Sequence, residues 1–556
     1  MSLKEYTIRH HLISFKTDYD INFITSIKNI RGRKYDAINH IWYCPINLIN
    51  KDDIEDLILK FGILCSNNSD CDWNTYLLEN IDLLLEQKID MLERKIEELK
   101  LPWLVRDYQF NGIVYMLYAK RCINGSDMGT GKTFMSIMAV ETENLFPCIV
   151  ISPTSVKYYW ERQWKFVNKN RLISVLENNK IDFNSDVLIF TYGSLGNKKE
   201  EDDKVKIDIK YKELLNIRFK SIICDESHNL KSSKTIRSKS VRKLSKNIDY
   251  RFFLTGTLIM NRPSEVINQL NLLDQFSDIF NWNYFIDRYC GAYMSPFGLN
   301  YSGATNTLEL NTILKKYCYY RVDKKEALPD LPNRVETVLS VDIDNMKEYK
   351  HANNDFIEYV RENMGNIKAE SALLAETIVK INSLSYLSAI GKISNIVEWV
   401  EDFLESSNEK IVLFGIHTDI IKELSRKFKC DYIIGEVSQK KRQNIIDDFQ
   451  TNDKRILIMN ILTGGFGIDG LQNISSNMLI YELPWRPTDI EQVISRLERS
   501  GQKNSIGVYF MLGNNTIDIK IWDIILQKDK ITSSVNKGVE SDNNNRYLYN
   551  LIGSYL

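Results

Sequence analysis

What this chain of 556 residues has little of narrows the field before any motif is read. Its nine cysteines (Cys44, Cys65, Cys71, Cys122, Cys148, Cys224, Cys290, Cys318, Cys430) contain no CxxC pair, and the closest two, Cys65 and Cys71, have no histidine companions. A structural zinc site and a disulfide scaffold are therefore not predicted; buried free thiols in a reducing compartment are. Neither sign of charge dominates: 72 basic against 73 acidic residues leave a formal charge of −1, so any surface that binds phosphate has to be local. No run of about eighteen apolar residues exists to cross a bilayer, and the N-terminus lacks the apolar block of a signal peptide. The expectation is an intracellular, soluble, non-secreted protein with no membrane partner. A hydrophobic content of 44% with 26% charged residues suits a globular chain, and the length predicts several domains rather than one core.

What is present centres on Asp127 to Thr133, DMGTGKT, between a short apolar segment and the periodic run Phe134 to Val140. Glycines at 129 and 131 let backbone amides turn inward around phosphate oxygens, Lys132 adds charge, and the Thr133 hydroxyl can ligate magnesium. The strict nucleotide pattern asks for glycine where Ser126 stands, so the loop alone could be an ordinary glycine-rich turn. Ser221 to His228, SIICDESH, weighs against that. An apolar strand ending in two adjacent carboxylates can deliver Asp225 to Mg²⁺ and Glu226 to a water, as such a loop requires. Nucleotide hydrolysis is the leading reading.

Along the chain, residues 1–65 read as a small α+β unit: a strand near Thr7 to Phe15, a helix from Ile21 to Ile30, a turn at Gly32 and a strand from His40 to Pro45. The turn gathers Arg31, Arg33 and Lys34 with Tyr35, then Trp42 and Tyr43, a mixture suited to phosphate contact and base stacking or to a solvated rim over a core tryptophan. Residues 66–100 form a helical arm, with Ile81, Leu84, Leu85, Ile89, Leu92, Ile96 and Leu99 at helical spacing before Pro102. From 101 to 340 strands and helices alternate as in a parallel sheet: Cys148 to Ser152, Val187 to Thr191, Ser221 to Cys224 and Phe252 to Leu254 are strands. Residues 197–212 read as a charged surface loop, and helical insertions begin near 275. A helical connector covers 341–390. A second α/β lobe covers 391–535, with strands Ile411 to Phe414, Ile456 to Met459, Met478 to Tyr481 and Gly507 to Leu512. A polar tail, 536–556, follows.

The second lobe has no phosphate loop. It has Gln492, Arg496 and Arg499 in QVISRLERSGQ, where helical spacing puts the arginines on one face. Guanidinium groups so placed can stabilise a transferring phosphoryl group by roughly 10³ to 10⁵ in rate, or pair with Glu491 and Glu498 on a surface helix. Thr463, Gly464, Gly465 and Gly467, just upstream, favour the phosphate reading, since bare backbone could approach there.

These segments, in this order, resemble the Swi/Snf group of superfamily 2 helicases from about 101 to 515. RDYQFNG (106–112) resembles its adenine-contacting segment, implying that Gln109 reads the base. Residues 126–133 resemble motif I, assigning Asp127, Met128, Gly129, Thr130, Gly131, Lys132 and Thr133 to ATP; 225–228 resemble its DExH box and 254–257 its coupling motif. GEVSQKKRQNIIDDF (435–449), 460–471 and 492–502 also fit, which implies cofactor roles for Gly467 and Asp469. Two departures are Leu258, where proline is usual, and Glu498, where histidine is usual. Within the group, ISPTSVKYYW (151–160), IICDESHNLKSSKT (222–235), NRPSEV (261–266), YSGATN (301–306) and YYRVDKKEALPDLPNR (319–334) resemble the annealing-helicase branch that remodels stalled forks. RGRKYDAINHIWYCP (31–45) is similar to the core of that branch's HARP domain.

The resemblance implies an α/β fold of two RecA-like parallel-sheet lobes with helical insertions and a small N-terminal α+β domain. It implies ATP and Mg²⁺ as cofactors, with Lys132, Asp225, Glu226, Gln492, Arg496 and Arg499 catalytic and Thr133 and Asp225 on the metal. Thr154, Ser155, Lys157, Thr191, Thr463, Arg31, Arg33 and Lys34 are implied DNA contacts, and His228 with Thr255, Gly256 and Thr257 would report nucleotide state. The implied partner is forked, branched or junction DNA, with a single-strand-binding or replication protein as a further one. A monomeric motor acting at nucleoid, nucleus or viral replication site is expected. An RNA-directed helicase and a nucleic-acid-binding scaffold with a vestigial nucleotide site are the competing readings.

Overall fold

The computed structural model describes every residue except 1–3, 10–11, 29, 31, 47, 68, 78–82, 202–203, 296–297, 364–369, 465–469 and 539–556. The chain divides into two compact units. The first holds Met1–Gly125, Lys132–Leu258 and Arg262–Arg321; the second holds Ser126–Gly131, Ile259–Asn261 and the residues from Val322 onward.

In the first unit a mixed sheet comes first. Its strands are β1 (Lys4–Arg9), β2 (Leu12–Thr17), β3 (Lys34–Asp36), β4 (Ile41–Pro45) and β5 (Leu64–Cys65), in the order β3-β4-β2-β1-β5. The single strand expected over Thr7 to Phe15 is an antiparallel pair with Arg9 opposite Leu12. The buried residues change parity, from Tyr6 and Ile8 to Ile13 and Phe15, so one continuous strand could not have put them all on one face. The helices Ile21–Ile27 and Leu48–Phe61 cover that face, adding Phe23, Ile27, Ile54 and Leu57, and the core runs on to Trp73 and Tyr76. The second of these helices was not expected from sequence. The arm is a helix over Leu83–Leu99.

The rest of the first unit is built on a seven-stranded, wholly parallel sheet. Its strands are β6 (Arg121–Asn124), β7 (Cys148–Ser152), β8 (Ile173–Val175), β9 (Val187–Thr191), β12 (Ser221–Asp225), β13 (Tyr250–Leu254) and β16 (Tyr319–Tyr320), in the order β16-β6-β13-β12-β7-β9-β8; β10 (Gly196–Glu201) and β11 (Lys204–Ile209) form a hairpin outside it. Ile149, Val150 and Ile151, like Leu188, Ile189 and Phe190, are fully buried without alternation, as expected of strands covered on both faces. The charged stretch expected to be a loop is thus the β10–β11 hairpin, in which Gly196 lies opposite Ile209. A second hairpin, β14 (Tyr293–Ser295) with β15 (Gly298–Asn300), lies among the helices of the insertion.

The second unit carries a six-stranded parallel sheet: β17 (Arg334–Val341), β18 (Lys410–Gly415), β19 (Asp431–Ile433), β20 (Ile456–Asn460), β21 (Ser475–Ile480) and β22 (Ile506–Gly513), in the order β17-β22-β21-β18-β20-β19. β17, counted with the first lobe on sequence, pairs along its whole length with β22. The helix Ile517–Lys537 follows β22 and buries Ile521, Trp522 and Ile525.

Candidate active site

In the first unit the helix Lys132–Thr142 opens with Lys132 and Thr133, and it is buried from Phe134 onward. β12 lies one strand away from β6 across β13, and its carboxyl end carries Asp225, followed at once by Glu226. Ligands of parallel sheets bind beyond such ends. Trp160 Nε1 donates to Asp225 Oδ2 at 2.8 Å, and the Tyr192 hydroxyl donates to the Asp225 carbonyl at 2.7 Å. Burial, then the charge of Glu226, raises the Asp225 carboxyl to about 6; the Trp160 hydrogen bond and the Lys132 ammonium pull the other way. A buried carboxylate crowded by a second one and costly to keep charged is a donor that a divalent cation would relieve, so Asp225 fits Mg²⁺.

Glu226 has φ +49 and ψ 54, in the left-handed region. Its amide donates to Asp225 Oδ1 at 3.0 Å. His228 Nδ1 lies 3.3 Å from Glu226 Oε2 and 3.1 Å from Thr255 Oγ1, and that hydroxyl donates to the Thr257 carbonyl at 2.8 Å while accepting from the Thr257 amide at 3.1 Å. The carboxylate, His228 and the Thr255–Gly256–Thr257 turn are therefore one chain of contacts. Gln269, missed on sequence, adds a second strut: its side chain accepts from Ser227 Oγ at 2.8 Å and donates to the Leu258 carbonyl at 3.1 Å. Trp160 and Tyr192 were also missed, because nothing in a tryptophan or tyrosine near a strand marks it as a carboxylate's support.

The loop 126–131 groups with the second unit. Gly129 and Gly131 have φ +85 and +90, the backbone form that makes glycine the residue of choice there. The Asp127 amide donates to the Val322 carbonyl at 3.0 Å, Asp127 Oδ2 accepts from the Lys324 amide at 2.9 Å, and Thr130 Oγ1 donates to the Asp127 carbonyl at 2.8 Å. Within the same unit a Cβ built on Gly129 would sit 3.4 Å from Arg499 Cβ, and Ser495 Oγ lies 3.5 Å from Met128 Sδ. The arginine segment and the loop are neighbours. One expectation is corrected: the helix Pro487–Ile494 contains Gln492 but ends before Arg496 and Arg499, which lie on the turns that follow. Glu491 accepts both Arg334 nitrogens at 3.2 Å, and Glu498 accepts from Lys324 at 2.9 Å.

The SNF2-related domain family matches residues 100–395, more than half of the chain, and the helicase conserved C-terminal domain matches residues 391–501. The chain belongs to the SNF2-related ATPases. Among curated relatives it is 27% identical over 471 residues to the human DNA annealing helicase and endonuclease ZRANB3, covering 81% of this chain and 41% of that protein. It is 28% identical over 449 residues to the Caenorhabditis elegans homologue of the SWI/SNF-related matrix-associated actin-dependent regulator of chromatin subfamily A-like protein 1, covering 77% of this chain and 61% of that one. The chain thus spans less than half the length of the human relative. Of solved structures, the Sulfolobus solfataricus SWI2/SNF2 ATPase core in complex with dsDNA aligns over 79% of this chain and 94% of that chain, at 22% identity and a TM-score of 0.37.

The remaining expected positions of this SNF2-related chain are unevenly placed. Gln109 lies on the first turn of the helix Asp107–Ala119, where its Oε1 accepts from the Arg106 amide at 3.2 Å. Thr154 and Ser155 occupy the short 3₁₀ turn after β7; Lys157 Nζ donates to the Leu176 carbonyl at 3.2 Å, which spends part of its hydrogen-bonding capacity inside the unit. Thr191 ends β9, and its amide is capped by Ser194 Oγ at 3.1 Å. Lys34 is exposed on β3, whereas Arg33 Nη1 donates to the Ile30 carbonyl at 3.0 Å and so also holds its own turn. Tyr35 packs on Trp42 with ring centroids 4.7 Å apart. Thr463 lies in the short helix Ile461–Gly464, while Arg31, Gly467 and Asp469 fall outside the described residues. No helix among the described residues is long and apolar enough to cross a membrane.

Proposed function

We propose that this chain is an ATP-driven DNA translocase that anneals or otherwise remodels branched or forked DNA in replication or repair. The observation that carries the reading is the end of β12, where Asp225 and Glu226 sit side by side in the field of Lys132 and are wired through His228 to the Thr255–Thr257 turn. Such wiring is what a motor needs and a passive scaffold does not. The amides of Met128, Gly129 and Gly131 and the Lys132 ammonium would hold ATP, with Gln109 assigned to its base. Thr133 and Asp225 would hold Mg²⁺, which when bound neutralises phosphate charge. Glu226 takes the proton of the attacking water, and Arg496 and Arg499 offer charge to the phosphoryl oxygens. Thr154, Ser155, Lys157, Thr191 and Thr463 grip the DNA backbone without reading sequence, and Arg33 and Lys34 engage it from the N-terminal sheet. The similarity to the human DNA annealing helicase and endonuclease ZRANB3 supports the choice of substrate.

The test is ATP hydrolysis measured without nucleic acid and with RNA, single-stranded, duplex and forked DNA. Forked DNA is expected to stimulate most and RNA least. Equal stimulation by RNA would move the assignment to an RNA-directed enzyme, and remodelling that survives in Glu226→Gln would mark a scaffold.

A further inference from the structure

Lys324 lies in the 319–334 segment but received no role on sequence, yet in the second unit it touches both the nucleotide loop and the arginine segment. Its amide holds Asp127 Oδ2 at 2.9 Å, and its ammonium holds Glu498 Oε2 at 2.9 Å. Both side chains are mostly shielded, 13% exposed for Lys324 and 18% for Glu498. Glu498 is flanked by Leu497 and Arg499, and the backbone of that segment is the one that lies beside Gly129. A carboxylate there would work against the guanidinium groups of Arg496 and Arg499 if left uncompensated, since like charge to the phosphate repels it. Lys324 compensates it, and Arg334 Nη1, 3.5 Å away, adds a second cation that is itself anchored on Glu491 and Glu336. Those carboxylates outweigh burial and hold the Arg334 guanidinium firmly protonated.

We propose that Lys324 is a positioning residue that ties the arginine segment to the nucleotide loop, its amide on Asp127 and its ammonium on Glu498, so that loop and arginines are set by one residue. The proposal rests on the ATPase reading above and adds a residue to it. Lys324 acts through Glu498 on the placement of Arg496 and Arg499. Losing it loosens a group that acts in the transition state more than in the ground state, so kcat falls while KM for ATP stays near its value.

The experiment is steady-state hydrolysis with DNA by the full chain, with kcat and KM separated, for Lys324→Met, Glu498→Gln, the double variant and Lys324→Arg. The thermal midpoint of each is measured alongside. Each of Lys324→Met and Glu498→Gln is expected to lower kcat roughly tenfold or more with KM changed less than about threefold, the double variant to be no worse than either, and Lys324→Arg to recover most of the rate. Multiplying effects in the double variant, a rise in KM that accounts for the loss, or no loss at all would overturn the proposal. If the single variants unfold, a Lys324→Arg chain that folds yet has the low rate of a misplaced arginine segment would overturn it too. A wild-type chain that hydrolyses no ATP with any DNA would instead remove the function on which the proposal depends.

Discussion

Glu226 pays for its position with a left-handed backbone that a side chain rarely adopts, a strain on the order of 1–2 kcal/mol that its neighbours hold in place. Asn229 Nδ2 donates to its carbonyl at 3.0 Å, and the Asp225 side chain accepts its amide. Strain retained at the end of a central strand fits a residue placed for chemistry. Glu226→Gln keeps the shape and removes the proposed base, so hydrolysis should fall by roughly 10² to 10⁴ while nucleotide still binds; a rate within a few-fold of wild type, measured by phosphate release, would remove Glu226 from this role. Trp160 tests the neighbouring carboxylate. Trp160→Phe deletes the indole donor that orients Asp225, and the Mg²⁺ concentration for half-maximal hydrolysis should rise roughly tenfold. An unchanged magnesium titration would mean that the hydrogen bond only packs the core.

At the scale of elements, two strands of the second sheet converge on one ammonium. Lys392 Nζ donates to the carbonyls of Tyr481, just past β21, and Met511, in β22, at 2.5 and 3.0 Å, and to Asp518 Oδ2 at 2.6 Å; that carboxylate also accepts from the Gly513 amide and Ser388 Oγ, both at 3.0 Å. Because both charges are buried, Lys392→Met should cost about 3–5 kcal/mol in urea unfolding by stranding Asp518. A loss below about 1 kcal/mol would show the pair to be dispensable. At the end of β18, His417 Nδ1 bonds Glu482, whose other oxygen accepts the Ile416 and His417 amides at 2.7 and 3.1 Å. That hydrogen bond raises the imidazole above its ordinary 6.5 in spite of burial. A raised folded-state value means the contribution is complete below about 6.5 and is lost as pH climbs through the higher folded value. The stability gap between wild type and His417→Asn should therefore widen from about pH 8 to about pH 6; a pH-independent gap would contradict this. Long apolar strands such as β7, β9 and β12 could be read from the sequence because uninterrupted burial leaves an uninterrupted apolar run. β6 and β19 could not, being short and opened by a charged residue, and the lysines and glutamates of β10 hide its pairing with β11. Arg496 and Arg499 keep helical spacing while the helix itself stops at Ile494, because spacing records a face and not the hydrogen bonds that continue a helix.

At the scale of the molecule, motif order made the two-sheet plan and the paired carboxylates at the end of β12 legible. The ion pairs of Lys324 with Glu498 and of Arg334 with Glu491 were not, because those partners stand far along the chain. The N-terminal sheet supplies the test of DNA engagement: Lys34→Glu should weaken binding alike across sequences and lower the slope of log affinity against log salt by about one, followed by fluorescence anisotropy. An unaltered salt slope would take Lys34 off the DNA. The eight-residue ladder between β17 and β22 has a practical side. A recombinant piece begun at residue 391, where the helicase C-terminal match starts, would leave β22 with a bare row of amides and carbonyls, an invitation to pair with its twin in the next molecule. Such a piece should scatter light and precipitate, whereas one begun at Val322 brings its own covering strand and should stay in solution. Where this chain can be cut is decided by a strand that lies well ahead of the sequence by which that half is recognised.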